Sequence, residues 1–122
     1  MTGDRPPKGQ RDYRQAILTR HALDRFVERF GAAGLEQADE ELRAALSRTR
    51  RLGRNAENGA IAVLALHQGK VLVAILREPD NAPPSCLTVL TWPQFEPRLP
   101  EFGRGRMPRK RGRMLRRLID PD

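Results

Sequence analysis

The chain has 122 residues, a length typical of one domain. Hydrophobic residues make up 39% and aromatic residues only 5%, which predicts a modest core built from aliphatic side chains. The single cysteine, Cys86, excludes an internal disulfide and a cysteine-based metal cluster, and no apolar run approaches the ~18 residues of a membrane span. We therefore expect a cytoplasmic protein with no membrane association.

The positive charge is concentrated near the C-terminus. Residues 104–122 contain eight basic and two acidic residues, so they carry +6 of the formal net charge of +8. Residues 1–103 hold 15 basic and 13 acidic groups. This distribution favours a polyanionic partner, and nucleic acid is the first one to consider. The predicted nucleic-acid-binding residues are Arg104, Arg106, Arg109, Lys110, Arg111, Arg113, Arg116 and Arg117.

Two helices are predicted in the N-terminal half, after a polar and aperiodic stretch, residues 1–16, that predicts a flexible leader. Thr19 and Gly31 predict the N-cap and C-cap of a first helix that runs to about Phe30. Apolar spacing predicts a second helix from about Leu35 to Arg51, acidic at its start and basic at its end.

The period then changes to that of strands. Residues 60–67 and 70–77 are β-rich and are joined by Gln68-Gly69, which predicts a hairpin with Ala62 opposite Ile75 and Leu64 opposite Val73. Both faces of this hairpin are apolar, so we expect the helices on one face and the C-terminal tail, a partner or a second copy on the other. A third strand is predicted at residues 86–92. The fold class is therefore α+β, with two N-terminal helices packed on a three-stranded antiparallel sheet and a basic C-terminal extension or helix.

The first helix and the last strand resemble a known family. The stretch LTRHALDRFVERFG (residues 18–31) and the strand LTVLT (residues 87–91) are similar to the small RelE-superfamily toxins, especially the BrnT-like branch. The resemblance spans about residues 17–92 and makes residues 17–97 the expected domain, followed by an Arg-rich tail at 98–122. It implies an endoribonuclease toxin of a bacterium or phage that needs no metal and pairs with an antitoxin. The long Arg-rich tail and the polar leader depart from the family pattern.

Four residues are the candidate catalytic set. The resemblance carries over only His21, as the acid or base, because it stands in the matching motif. Arg25 and Arg29 follow at i+4 and i+8, so they would line a phosphate track along one helix side, and Arg77 near a strand end would be a further clamp. Each also has an ordinary explanation: a surface histidine, ion pairs with Asp24 or Glu28, and an edge charge. Two histidines without ligand spacing make a metal site improbable, and no cofactor is expected.

Other functions remain open. A non-catalytic nucleic-acid or nucleoprotein-binding factor is the main alternative, and a protein-binding regulator whose tail docks an acidic partner is a third. The expected partners are nucleic acid, with RNA preferred over DNA, an acidic antitoxin or other protein, and a second copy in a homodimer. Three aromatic residues near the tail would either stack on bases or cover the sheet edge: Trp92, Phe95 and Phe102. Residues 104–117 would form a basic arm on the phosphate backbone, or residues 108–119 would form a last helix that packs on the bare sheet face or lies on an anionic membrane surface.

Overall fold

A computed structural model describes residues 10–103 of the chain. Its elements follow one another as β1 (Gln10–Arg11), β2 (Ile17–Leu18), α1 (Arg20–Phe30), α2 (Leu35–Leu46), β3 (Thr49–Arg54), β4 (Ile61–His67), β5 (Lys70–Arg77), β6 (Ser85–Thr91), α3 (Trp92–Phe95) and a 3-10 helix (Glu96–Glu101). The strands form one six-stranded sheet in the order β1-β3-β4-β5-β6-β2. Only the β2–β6 pair is parallel. The α+β class is confirmed, and the predicted three-stranded meander (β4, β5, β6) is widened to six strands by β1, β2 and β3.

The caps of α1 form as the sequence predicts. The Thr19 side chain accepts a hydrogen bond from the Ala22 N–H at 3.1 Å, which satisfies one of the free donors of the first turn. Gly31 ends the helix with φ of 81°, a left-handed conformation that glycine adopts at low cost, and its N–H donates to the Val27 carbonyl. Both cap bonds are local, and the Thr19 hydroxyl also donates to the Leu87 carbonyl of β6 at 3.2 Å, which ties the start of the helix to the sheet.

The second helix is shorter than predicted. It ends at Leu46, and the residues expected to form its last turn form β3 instead. The prediction that the helix reaches Arg51 was wrong because the apolar spacing of these residues cannot tell the end of a helix from a short strand. In the folded protein Arg51 lies opposite Val63 of β4, and the Thr49 hydroxyl donates to the Arg11 carbonyl at 2.9 Å. These long-range hydrogen bonds decide in favour of the strand.

The β4–β5 hairpin has the predicted register. Ala62 lies opposite Ile75 and Leu64 opposite Val73, and the turn places Gln68 and Gly69 at positive φ. The two strands are central in the sheet and almost entirely buried on both faces, as their two-sided apolar pattern predicts.

The two faces of the sheet have separate cores. We call the face with Ile61, Val63, Leu72 and Ala74 the helix side, because Phe26 of α1, Leu42 of α2 and their neighbours pack on it. The other face is called the tail side, and its core consists of Ala60, Ala62, Leu64, Val71, Val73, Ile75, Leu90, Trp92, Phe95 and Phe102. Residues 92–102, which form α3 and the 3-10 helix, thus cover the face that was expected to need the tail or a partner.

The covering segment is fixed at its end by close contact with β3. Phe102 is 2% exposed, and a β-carbon added to Gly53 would collide with its carbonyl oxygen and lie 2.6 Å from its carbonyl carbon. A glycine inside a strand often marks such a close backbone approach. Gly53 also follows a register shift between Arg51 and Gly53, so a bulge and a contact coincide here.

The N-terminal boundary of the fold lies earlier than residue 17. β1 pairs with β3, Tyr13 is 5% exposed, and the Tyr13 N–H donates to the Leu46 carbonyl at 2.7 Å. Residues 10–16 therefore belong to the folded domain although their sequence is polar. The predicted helix at residues 108–119 and most of the Arg-rich tail lie outside the described residues. Within residues 10–103, no helix is long and apolar enough to cross a bilayer.

Candidate nucleic-acid interface

The three candidate residues of α1 differ in what they contact. His21 is exposed in the first turn of the helix. Arg25 donates through Nη1 to Oε2 of Glu28 at 2.7 Å, the ordinary ion pair expected for a helix surface. Arg29 turns inward, where its Nη1 donates to the Val89 carbonyl of β6 at 2.7 Å. Arg29 therefore ties the helix to the sheet, and the exposed part of the proposed track is reduced to His21 and Arg25.

Arg77 is separated from this group by the sheet itself. Side chains alternate along β5, and Arg77 continues the row of Val73 and Ile75, which lies on the tail side. His21, Arg25 and Arg29 belong to a helix on the opposite side. The structure does not bring the four candidate catalytic residues to one place.

The tail side collects other cations. Arg50 of β3 lies opposite Leu64, a tail-side residue, so its side chain shares that face with Arg77. Arg98 of the 3-10 helix lies over the Phe102 ring at 5.8 Å and has Nε 3.8 Å from Oε1 of Glu101. In the described part of the chain, neither Arg50 nor Arg77 forms an ion pair.

Acidic residues are concentrated on helix α2, which packs on the helix side. Helix α2 has four carboxylates against one arginine, a net charge of −3 from the sequence. Strand β3 has three arginines, Arg50, Arg51 and Arg54, and no acid. The register places Arg50 on the tail side and Arg51 and Arg54 on the helix side, so β3 is a basic strand with cations on both faces, next to the point where residues 104–122 begin.

The aromatic residues near the tail are not available for stacking in this conformation. Trp92 is 8% exposed, Phe95 is fully buried, and their rings pack at 5.9 Å from each other. Phe102 packs on Phe95 at 5.3 Å. These rings cover the tail side of the sheet, as one of the two alternatives in the sequence analysis had it.

A polar cluster that the sequence did not reveal lies at the end of the sheet on the helix side. Arg51 donates through Nη2 to Oε1 of Glu78 at 2.8 Å, joining β3 to the residue after β5. The Tyr13 hydroxyl is buried without a hydrogen-bond partner among the described residues, as is Nε of Arg51. Burial raises the pKa of Tyr13 above its usual value of 10.0, with Arg51 acting in the opposite direction. The buried ring and the backbone bond to Leu46 make Tyr13 an anchor of the N-terminal segment.

His67 is a core residue rather than an exposed turn residue. Its ring lies edge-on to Phe26 at 5.0 Å, and Nε2 is 3.2 Å from Oε1 of Glu41, although the geometry makes no hydrogen bond. The alternation of Ile61, Val63 and Ala65 continues to His67 and was the available signal for its direction. It joins α1 and α2 to the sheet.

A shallow groove of about 810 Å³ lies between residues 14–18 and α2. Arg43 crosses its wall, donating to the carbonyls of Arg14 and Ala16 at 2.8 Å each and to Asp39. Through these hydrogen bonds Arg43 holds the N-terminal segment, and its guanidinium is therefore not available to bind a ligand in the groove. Among residues 10–103 no group of three or more histidine, cysteine or acidic side chains is placed to hold a metal ion.

Cys86 is buried and its thiol is hydrogen-bonded to the Thr88 carbonyl at 3.7 Å. Burial raises the pKa of this thiol to about 12. The thiolate is the reactive form of cysteine, so Cys86 is an inert core residue in the folded chain.

Comparison with known proteins adds no assignment, because no family model, curated protein or solved structure matches this chain. The RelE/BrnT-like resemblance therefore stays a prediction that depends on the residues quoted for it.

Proposed function

We propose that this protein binds nucleic acid through its Arg-rich tail, which the folded domain presents from a fixed point. The observation that carries the proposal is the anchoring of Phe102 against Gly53 immediately before a segment of net charge +6. Covalent geometry keeps Arg104 and Arg106 within about 11 Å of Gly103, measured between Cα atoms. The segment of net charge +6 therefore follows a described point of the chain that lies beside the basic strand β3.

Binding is favoured over cleavage by the positions of the candidate catalytic residues. Metal-independent cleavage of RNA needs an acid, a base and a cation around one phosphate. Arg29 is bonded to the backbone of β6, and Arg77 lies on the other face from His21. Nucleic-acid binding needs only accessible cations, and the chain supplies these in the tail and on the tail side.

The test is equilibrium binding of purified protein to fluorescent oligonucleotides of about 20 residues, in single-stranded RNA, duplex RNA and single-stranded DNA forms. We expect affinity that falls steeply between about 0.05 and 0.2 M salt, because each phosphate contact releases counterions. Deletion of residues 104–122 is the decisive variant, because residues 10–103 contain both cores. Unchanged binding after that deletion would refute the proposal. Tighter binding to RNA than to DNA would support the predicted preference.

Endoribonuclease activity is the alternative implied by the resemblance, and the same material tests it. RNA is incubated with protein in EDTA, and wild type is compared with His21→Ala and Arg25→Ala. Both side chains are on the outer part of α1, so neither change should unfold the protein. Cleavage that is lost in either variant would establish a nuclease at α1. Intact RNA that remains bound would support the binding function alone, and a repeat with ribosomes would test for a ribosome-dependent cleavage.

A further inference from the structure

We infer that the folded domain contributes its own phosphate-binding surface, formed on the tail side of the sheet by Arg50 and Arg77. This inference builds on the proposed function but does not depend on the tail residues themselves. The two arginines come from β3 and β5, are separated by 27 positions in sequence, and share a face only because of the sheet register. From the sequence, Arg50 was predicted to lie in the second helix, and Arg77 was predicted to act together with residues of α1.

The spacing of the two arginines follows from the register. Arg50 lies opposite Leu64, Leu64 lies opposite Val73, and Arg77 is four residues further along β5. Two strand spacings across and four residues along place their Cα atoms about 17 Å apart. A nucleic-acid strand carries a phosphate for about every 3.4 Å of helix axis, so the pair spans roughly five phosphate steps.

The tail starts between these two arginines. Gly53, against which Phe102 packs, lies opposite Ala62, and Ala62 lies opposite Ile75. The same strand geometry puts Gly53 about 7 Å from Arg50, two register positions away, and about 12 Å from Arg77, measured between Cα atoms. A nucleic-acid strand that reaches the contact between Phe102 and Gly53 would therefore pass within reach of both side chains.

The guanidinium groups of Arg50 and Arg77 suit a phosphate partner. A guanidinium presents paired donors that match phosphate geometry, and neither Arg50 nor Arg77 is neutralised by an acid in residues 10–103. The carboxylates on the covering segment are Glu96 and Glu101, and Glu101 lies beside Arg98. The tail side therefore keeps a net positive charge around the tail's origin even before the tail is counted.

The test is a charge-matched comparison of two double variants in the full chain. Arg50→Gln/Arg77→Gln removes two positive charges from the tail side. Arg14→Gln/Arg20→Gln removes the same charge from the other side, where both arginines are exposed and paired with nearby aspartates. Binding to single-stranded RNA and DNA is measured by fluorescence anisotropy over about 0.05–0.3 M salt. Circular dichroism confirms that each variant is folded.

We expect the tail-side variant to weaken binding roughly 10- to 30-fold near physiological salt and to lower the log–log salt slope by about 1.4 to 1.8. The control variant should change the affinity about twofold or less and leave the slope unchanged, because distant surface charges are screened. Equal effects of the two variants would overturn the surface while leaving tail-dependent binding intact. Absence of any binding by wild type would instead overturn the proposed function. Equally tight binding of polyglutamate of matched charge would show an acidic protein partner in place of nucleic acid.

Discussion

The contact between Gly53 and Phe102 makes the most direct prediction, because it fixes both the tail-side core and the origin of the tail. In Gly53→Ala the new methyl group would meet the Phe102 backbone, whose carbonyl carbon would be only 2.6 Å away. Ordinary carbon contacts are about 3.5–4.0 Å, so the segment must retreat by roughly 1 Å or more. Overpacking of this kind costs about 1–3 kcal/mol, and full exposure of a phenylalanine costs about 1.5–3 kcal/mol.

We therefore expect Gly53→Ala to lower the free energy of unfolding by about 2–3 kcal/mol in urea titrations followed by circular dichroism. Gly34→Ala is the matched control, since a β-carbon there would meet nothing within 4 Å. Gly34 is the N-cap of α2 with an extended backbone, so its substitution should change stability by less than about 1 kcal/mol. A Gly53→Ala protein within about 0.5 kcal/mol of wild type would refute the packing of residues 92–102 on β3.

Three further predictions concern buried polar groups. Arg29→Gln should lower the free energy of unfolding by about 1.5–3 kcal/mol, because it loses the hydrogen bond to the Val89 carbonyl. Arg25→Gln should lower it by less than about 0.5 kcal/mol, because its ion pair with Glu28 is on the surface. Equal losses in urea titrations would contradict the structural role of Arg29. Cys86 should resist a thiol reagent in the native protein and react after unfolding. Folding raises the pKa of the Cys86 thiol from 9.0 to about 12, so the unfolded state loses the thiol proton first as the pH rises. The free energy of unfolding should therefore fall between pH 9.0 and about 12, by up to about 1.4 kcal/mol per pH unit. Cys86→Ala should remove this pH dependence, and a slope that is unchanged in Cys86→Ala would contradict the assignment to Cys86. Tyr13→Phe should change stability by less than about 1 kcal/mol, because the hydroxyl has no partner among residues 10–103; a loss above about 2 kcal/mol would show that it is hydrogen-bonded.

Local signals predicted several elements correctly. The Thr19 and Gly31 caps each include a hydrogen bond to a residue within four positions, and the Gln68-Gly69 turn sets the hairpin register by its length. The two-sided apolar pattern of β4 and β5 also predicted that both faces would be covered. This pattern could not show which segment covers the tail side, because the proline-rich residues 92–102 have no regular hydrophobic period.

The candidate site was predicted less well for the same physical reason. A sequence pattern gives the side of a helix or strand on which a residue lies, but not which elements pack on that side. Arg29 and Arg25 have equivalent positions in the α1 pattern, yet Arg29 reaches the backbone of β6 and Arg25 does not. The contact of Arg29 is decided by the strand opposite the helix, whereas Arg25 pairs with Glu28 on the helix itself.

The sequence by itself determined the α+β class, the first helix with its caps, the hairpin register and the concentration of charge in residues 104–122. These features depend on composition or on residues close together in the chain. Only the tertiary structure decided that Thr49–Arg54 is a strand, that Arg77 is on the opposite face from His21, and that the tail begins beside Gly53. Those features depend on pairing and packing between distant segments, whose free energy exceeds the weak local preferences that a single sequence displays.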